Sequence, residues 1–189
     1  MTMTPNAPHD IWRRAFVAPQ QLQFTRGEVT FLCTDAPDAD NGTHDVLALA
    51  QRHGGRLEHE GAWTTLAFPQ PQQALAVALH LQRSAARRLR CALLTLECTV
   101  ASCEDNGIAH SLAVGQQHTQ SQERAERVPA GTIHLCGTTW LRLGDSLDAQ
   151  ARCALVAAEL EGDVVTSAAI TLPPPPQAAL STFAGLGLT

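Results

Sequence analysis

No stretch of this chain reaches the roughly 18 consecutive apolar residues that a membrane helix needs, so no membrane insertion is expected. Residues 1–10 lack a charged segment with an apolar core behind it, so no secretory leader is expected either. Among the six cysteines, Cys33, Cys91, Cys98, Cys103, Cys136 and Cys153, there is no Cys-x-x-Cys. Several sit in apolar, strand-like runs and read as buried, reduced thiols of a cytoplasmic protein. A metal cluster from Cys98, Cys103 and a histidine would lack recognisable ligand spacing. Dense positive charge is missing too. A formal net charge of -5 and a pI near 5.9 argue against a nucleic-acid or anionic-membrane partner, which needs clustered basic residues. The one basic run holds Arg83, Arg87, Arg88 and Arg90, and reads as a solvated helix end whose cations suit the C-terminal dipole. There are no internal repeats.

What is present is a domain. At 189 residues and 44% hydrophobic, the chain supports one core with tails. We expect an N-terminal extension over 1–25, a domain over 26–172 and a proline-rich tail over 173–189 that starts as stiff polyproline. Ile11, Trp12, Phe16 and Val17 form a small apolar set in the extension. The centre of the argument is 52–68, two short strands around a tight turn at Glu60-Gly61, where glycine would allow positive φ. Leu57 and His59, then Thr64, Leu66 and Phe68, alternate as in half-buried strands. Before the hairpin, Glu28 to Thr34 reads as a central buried strand, and Val46, Leu47, Leu49 and Ala50 mark a helix begun by Thr43 and ended at His53-Gly54. After it, Pro69 and Pro71 open a second helix with Ala74, Leu75, Ala78, Leu79 and Leu81 inward and Gln73, Gln82 and Arg83 outward. Leu89 to Val100 is a long strand, and Ile108 to Val114 returns antiparallel. Gly115 to Arg127 is helical with a Glu123–Arg127 pair. Thr132 to Cys136 is a strand, Thr138 to Leu143 a helical turn, and Ala151 to Leu160 and Val164 to Leu172 are strands. The order is βαββαβ with additions. It predicts an α+β, ferredoxin-like core with a mostly antiparallel sheet and helices on one face.

Val29-Thr-Phe-Leu-Cys-Thr-Asp35, His53-Gly-Gly-Arg-Leu57, the helix Ala74 to Gln82, and Gly115 followed by Pro129-Ala-Gly-Thr-Ile133 together resemble the class III adenylate/guanylate cyclase homology domain. The resemblance spans about residues 26–145. It implies a cytoplasmic signalling domain that works as a dimer with its site at the subunit interface, and two metal ions held by two aspartates. Asp35 matches the first aspartate. The second falls on Ala62. The lysine that reads the purine falls on Glu58, and the base-reading acid near Gln117. The asparagine and arginine that steady ribose and phosphate fall on Thr119 and Glu123. Ala92, Leu94 and Leu96 replace a small, glycine-rich portion of the strand after Arg90, narrowing the room for a nucleotide.

These replacements weigh against catalysis. Cyclising a nucleoside triphosphate takes two cations to activate the 3′ oxygen and neutralise phosphate. A lone carboxylate cannot bridge them. Losing a group that stabilises developing charge costs about 10²–10³ in rate, and losing a phosphate-holding arginine about 10³–10⁵. Glu123 puts negative charge where phosphate would sit. Glu60 is the nearby acid that would stand in as a ligand, and Arg124 or Arg127 the cation that would replace the lost arginine. The plainer readings are a solvated turn acid for Glu60 and a strand-end Asx turn for Asp35. Trp63 and Trp140 read as core or interface packing, and His53, His59 and His134 as ordinary strand or turn positions. Three functions follow. The first is a catalytically inactive, homodimerising regulatory module for a signalling partner, with no cofactor expected. The second is a divergent cyclase, alone or in a heterodimer, using Mg or Mn. The third is an unrelated ferredoxin-like domain that binds a small ligand.

Overall fold

The computed structural model describes residues 22–35, 42–85, 87–105, 108–115, 117–143, 146–147, 155–161 and 164–171. The apolar set in the N-terminal extension, the Asx turn after Asp35, Cys153 and the proline-rich tail lie outside these residues.

Strand β1 (Gln23–Asp35) begins five residues before the expected strand and occupies the middle of the sheet. Its valine, phenylalanine, leucine and threonine run suits a strand covered on both faces, and 29–35 are all buried. Helix α1 (Gly42–Arg52) follows, and Gly54 at φ 73 releases the chain from it. The hairpin is β2 (Arg56–His59) and β3 (Trp63–Phe68). Its link is Glu60–Ala62, and Gly61 is not in the positive-φ region, so the tight turn with a left-handed glycine does not form. A bulge between Leu57 and His59 instead absorbs the mismatch. Helix α2 (Pro71–Ser84) opens with proline at its first turn and buries the expected face. Gln82 is buried with that face, against expectation, because its amide donates to the Leu89 carbonyl at 2.6 Å.

Strand β4 (Arg90–Asp105) is the longest element, and β5 (Ile108–Val114) returns along its far half. Helix α3 (Gln117–Glu126), β6 (Thr132–Cys136), α4 (Gly137–Leu143), β7 (Leu155–Glu161) and β8 (Val164–Thr171) complete the described elements. The eight-stranded sheet runs β2-β3-β1-β4-β6-β8-β7, with β5 on β4. Every pairing is antiparallel except β4 with β6. Parallel neighbours need a crossover, and β5 with α3 supplies it. The expected α+β, βαββαβ arrangement is present.

Alternation along β1 divides the core. Leu32 faces α1, α2 and α4, in the cluster with Leu66, Phe68, Leu93 and Ile133. Phe31 and Cys33 face the other way, and there Ala125 of α3 and Val128, just past its end, pack with Cys33, Trp63, Ala92 and Leu94. Helices therefore lie on both faces, not on one. Each large side chain so buried, such as Phe31 and Phe68, contributes about 1.5–3 kcal/mol. Among the described residues, no helix is long and apolar enough to cross a membrane.

Candidate functional site

The last residue of β1 is Asp35, whose cross-strand partner in β3 is Trp63. Ala62 precedes Trp63, so the two positions expected to carry aspartates do lie side by side. Asp35 shares its face with Cys33 and Phe31, the face that α3 partly covers. Its side chain is 11% exposed and its carboxylate is engaged. Oδ2 accepts from Arg87 Nη1 at 2.8 Å and from Arg90 Nε at 3.4 Å, while Oδ1 accepts from the Arg90 backbone N–H at 2.8 Å. The Arg90 guanidinium lies over the Trp63 ring, 4.7 Å from its centroid, a favourable stack of cation on π-face. Trp63 is thus core packing and guanidinium platform together.

The basic run is therefore not a helix end. Helix α2 closes at Ser84 with only Arg83 in its last turn. Arg87 and Arg90 lie beyond it, where β4 starts beside the end of β1 through Cys91 and Thr34. All 13 basic residues of the chain other than histidine are arginines, and their planar fork suits a carboxylate better than a lysine would.

Glu58 sits in the β2 bulge with its side chain only 7% exposed. It accepts from Arg56 Nε at 2.7 Å and from the Ala113 N–H at 3.4 Å. Burial pushes its carboxyl above the ordinary range, more strongly than Arg56 pulls it down. The Arg56 Nη2 is buried without a hydrogen-bond partner. Glu58, where the resemblance expects the purine-reading lysine, is taken up by an internal pair with Arg56. Gln117, at the start of α3, donates its amide to the Val114 carbonyl at 3.1 Å across Gly115, whose φ is +135°. Thr119 and Glu123 are exposed on α3, away from the buried Ser121 and Ala125.

Of the expected substitutes, Glu60 is exposed in the hairpin turn, Arg124 is half-buried, and Arg127 is exposed past the end of α3. The Glu123–Arg127 pair does not form, because the helix stops at Glu126. Gln122 instead donates to Glu126 at 2.9 Å. Ala92 is buried and Leu94 nearly so beneath α3, which fills this part of the face. One contact had no counterpart in the sequence reading. The His59 and His118 rings stack at 5.2 Å between centroids with a 22° tilt, tying the hairpin to α3. Among the described residues, no three or more His, Cys, Asp or Glu side chains gather to hold a metal. Cys98 and Cys103 lie an odd number of positions apart on β4 and so point to opposite faces. Burial raises the Cys33 thiol to about 11 and the Cys91 thiol to about 12.

No protein-family model and no curated protein matches the chain in sequence. Solved structures do match in shape, and they define the fold as that of a class III nucleotidyl cyclase catalytic domain. The adenylyl cyclase CyaB from P. aeruginosa aligns over 80% of this chain and 97% of its own, with TM-score 0.55 and 12% identity. The adenylate/guanylate cyclase/hydrolase from Silicibacter pomeroyi covers 80% and 100%, with TM-score 0.54 and 14% identity. The guanylate cyclase domain of RhGC from Catenaria anguillulae, in complex with GTP, covers 78% and 98%, with TM-score 0.51 and 14% identity. At these identities the likeness is one of fold.

Proposed function

We propose that this chain is a catalytically silent cyclase-homology domain that pairs with a second copy and serves intracellular signalling through contacts. The observation that carries this reading is the occupation of Asp35 by its own chain. Both carboxylate oxygens accept hydrogen bonds from arginine nitrogens, and the neighbouring Ala62 offers no side-chain oxygen. Such a donor set does not fit a pair of divalent cations, which seek several free oxygens each. Glu58, Thr119 and Glu123 add no group suited to a purine or a triphosphate. A divergent cyclase would need Arg87 and Arg90 to release Asp35 before any metal could bind.

The test is direct. Purified chain incubated with Mg- or Mn-ATP and with the GTP counterparts is assayed for cyclic nucleotide, and light scattering is recorded on the same sample. No product and a mass of two chains is the expected result. Cyclic nucleotide that disappears in Asp35→Ala would overturn the proposal.

A further inference from the structure

One end of the sheet carries an apolar face that the described helices leave uncovered. Strand β1 turns its even-numbered residues, from Leu32 back to Phe24, to the side on which α1, α2 and α4 lie. Glu28 still meets α4 there, through Arg142. Four residues further back the cover has given out, and Phe24 is 59% exposed. The register sets Phe24 beside Ala101 of β4, and Ala101 beside Leu112 of β5. In the next row on this face, Arg26 lies beside Thr99, and Thr99 beside Val114, which is 45% exposed. Phe24, Ala101, Leu112 and Val114 therefore stand on one side of three paired strands. Alanine is the smallest of them, so the middle of the face is a trough between larger side chains. Three large apolar side chains are exposed among the described residues, and two of them, Phe24 and Val114, are here. Clustered apolar exposure marks a surface that something covers.

The sequence just before β1 supplies a cover. Ile11, Trp12, Ala15 and Phe16 recur at i, i+1, i+4 and i+5, one stripe of a helix, with Arg13 and Arg14 off it. Pro19 stops such a helix before it reaches β1. A run this short needs a surface for its stripe, because isolated helices below about 12–15 residues are marginal in water. Residues 18–22 join it to β1, and fully extended they span roughly 16 Å. Three paired strands are about 10 Å across, so the joining residues are long enough to turn back over the trough and short enough to hold the run close to it. Such a tether gives an effective concentration in the millimolar range, which favours the run of the same chain over that of a second copy. We propose that residues 11–17 lie across the Phe24–Leu112 face of their own chain, with Trp12 and Phe16 seated in the trough. This contact is separate from Asp35 and does not require two copies.

The experiment is limited trypsin digestion of the full chain over a wide range of protein concentration, with mass spectrometry reading cleavage after Arg13 and Arg14. Docking protects these bonds, because cleavage then tracks the fraction of molecules in which the run is undocked. Phe24→Asp and Val114→Asp place charge on exposed positions of the face, and circular dichroism checks that each folds. Phe24→Asp is expected to speed the cleavage at least about tenfold, and Phe16→Ser to do the same from the other side of the contact. Combining Phe16→Ser with Phe24→Asp should add little to either alone, since both break one contact. Val114→Asp carries the test if Phe24→Asp does not fold. Cleavage equally fast in wild type and variants overturns the proposal, as does a double variant whose two effects multiply. Protection lost in Phe16→Ser but kept in Phe24→Asp and Val114→Asp seats the run elsewhere and overturns this face. Protection that appears only as the concentration rises assigns the run to a second copy and overturns docking within one chain. None of these outcomes touches the silence of the site at Asp35, which the cyclic-nucleotide assay reads separately.

Discussion

Asp35 is a strand-end carboxylate whose neighbours decide what it does. With both oxygens held by Arg87 and Arg90, it acts as a clasp between the end of β1 and the start of β4. Asp35→Ala should therefore destabilise the fold by about 1.5–3 kcal/mol, the range for hydrogen bonds to a charged group. Thermal unfolding with and without Mg reads it, and a wild-type midpoint that rises with Mg would contradict the clasp. Glu58 makes the second prediction. Its folded pKa is raised, chiefly by burial, so the native state holds its proton to higher pH than the unfolded chain does. Stability then falls as pH rises from the ordinary value of 4.5 through the raised one. Urea midpoints between pH 4 and 7.5 should show that slope in the wild type and a shallower one in Glu58→Gln. At this scale the sequence placed Asp35 at a strand end and Ala62 in the hairpin link, and the pairing of Asp35 with Trp63 brings those two positions together. Sequence alone could not show the clasp. Arg87 and Arg90 reach Asp35 from 52 and 55 positions away, and nothing local distinguishes them from solvated cations until the β1–β4 register is known.

Among the elements, α4 is the shortest helix and the one most dependent on a single side chain. Thr139 is fully buried; its hydroxyl accepts from the Thr95 N–H at 2.9 Å, meets the Thr95 hydroxyl at 2.9 Å, and lies 3.2 Å from the Leu93 carbonyl. Thr30 continues the chain of hydroxyls at 2.9 Å from Thr95. Thr139→Val keeps the shape and strands these partners, so it should cost about 1–3 kcal/mol in denaturant unfolding, whereas Thr139→Ser should recover most of the loss. Equal losses in the two variants would mean that packing, not hydrogen bonding, fixes α4. Periodicity exposed α1, α2 and β1 because their apolar spacing is regular and their ends carry glycine or proline. Gln82 broke that reading, since a polar side chain at a helix end is expected outside unless a carbonyl such as that of Leu89 awaits it within. The hairpin turn broke it too, because Gly61 is not in the positive-φ region and the register shifts by a bulge after Leu57.

For the whole molecule, the order of elements along the chain and the fold class were legible from the alternation of helical and strand periods. The second layer over the sheet was not, because α3 is mostly polar and buries only Ser121 and Ala125 among its own residues. The central strand of the sheet also outruns one neighbour. Strand β3 pairs with β1 only from Thr30 to Asp35, while β4 pairs with it from Gln23 onward. Among the described residues, the other margin of 23–29 has no strand beside it, and its backbone amides and carbonyls form an open seam. Arg26, ion-paired with Glu97 at 3.8 Å, and Glu28, forked onto Arg142 at 2.7 and 2.9 Å, stand along that seam. Replacing Gln23 and Arg26 together by valine should turn the margin adhesive, with turbidity and fibril-dye fluorescence appearing at concentrations where the wild type stays clear. These surface charges contribute little to folding; their service is to keep one molecule's raw hem from being stitched to another's.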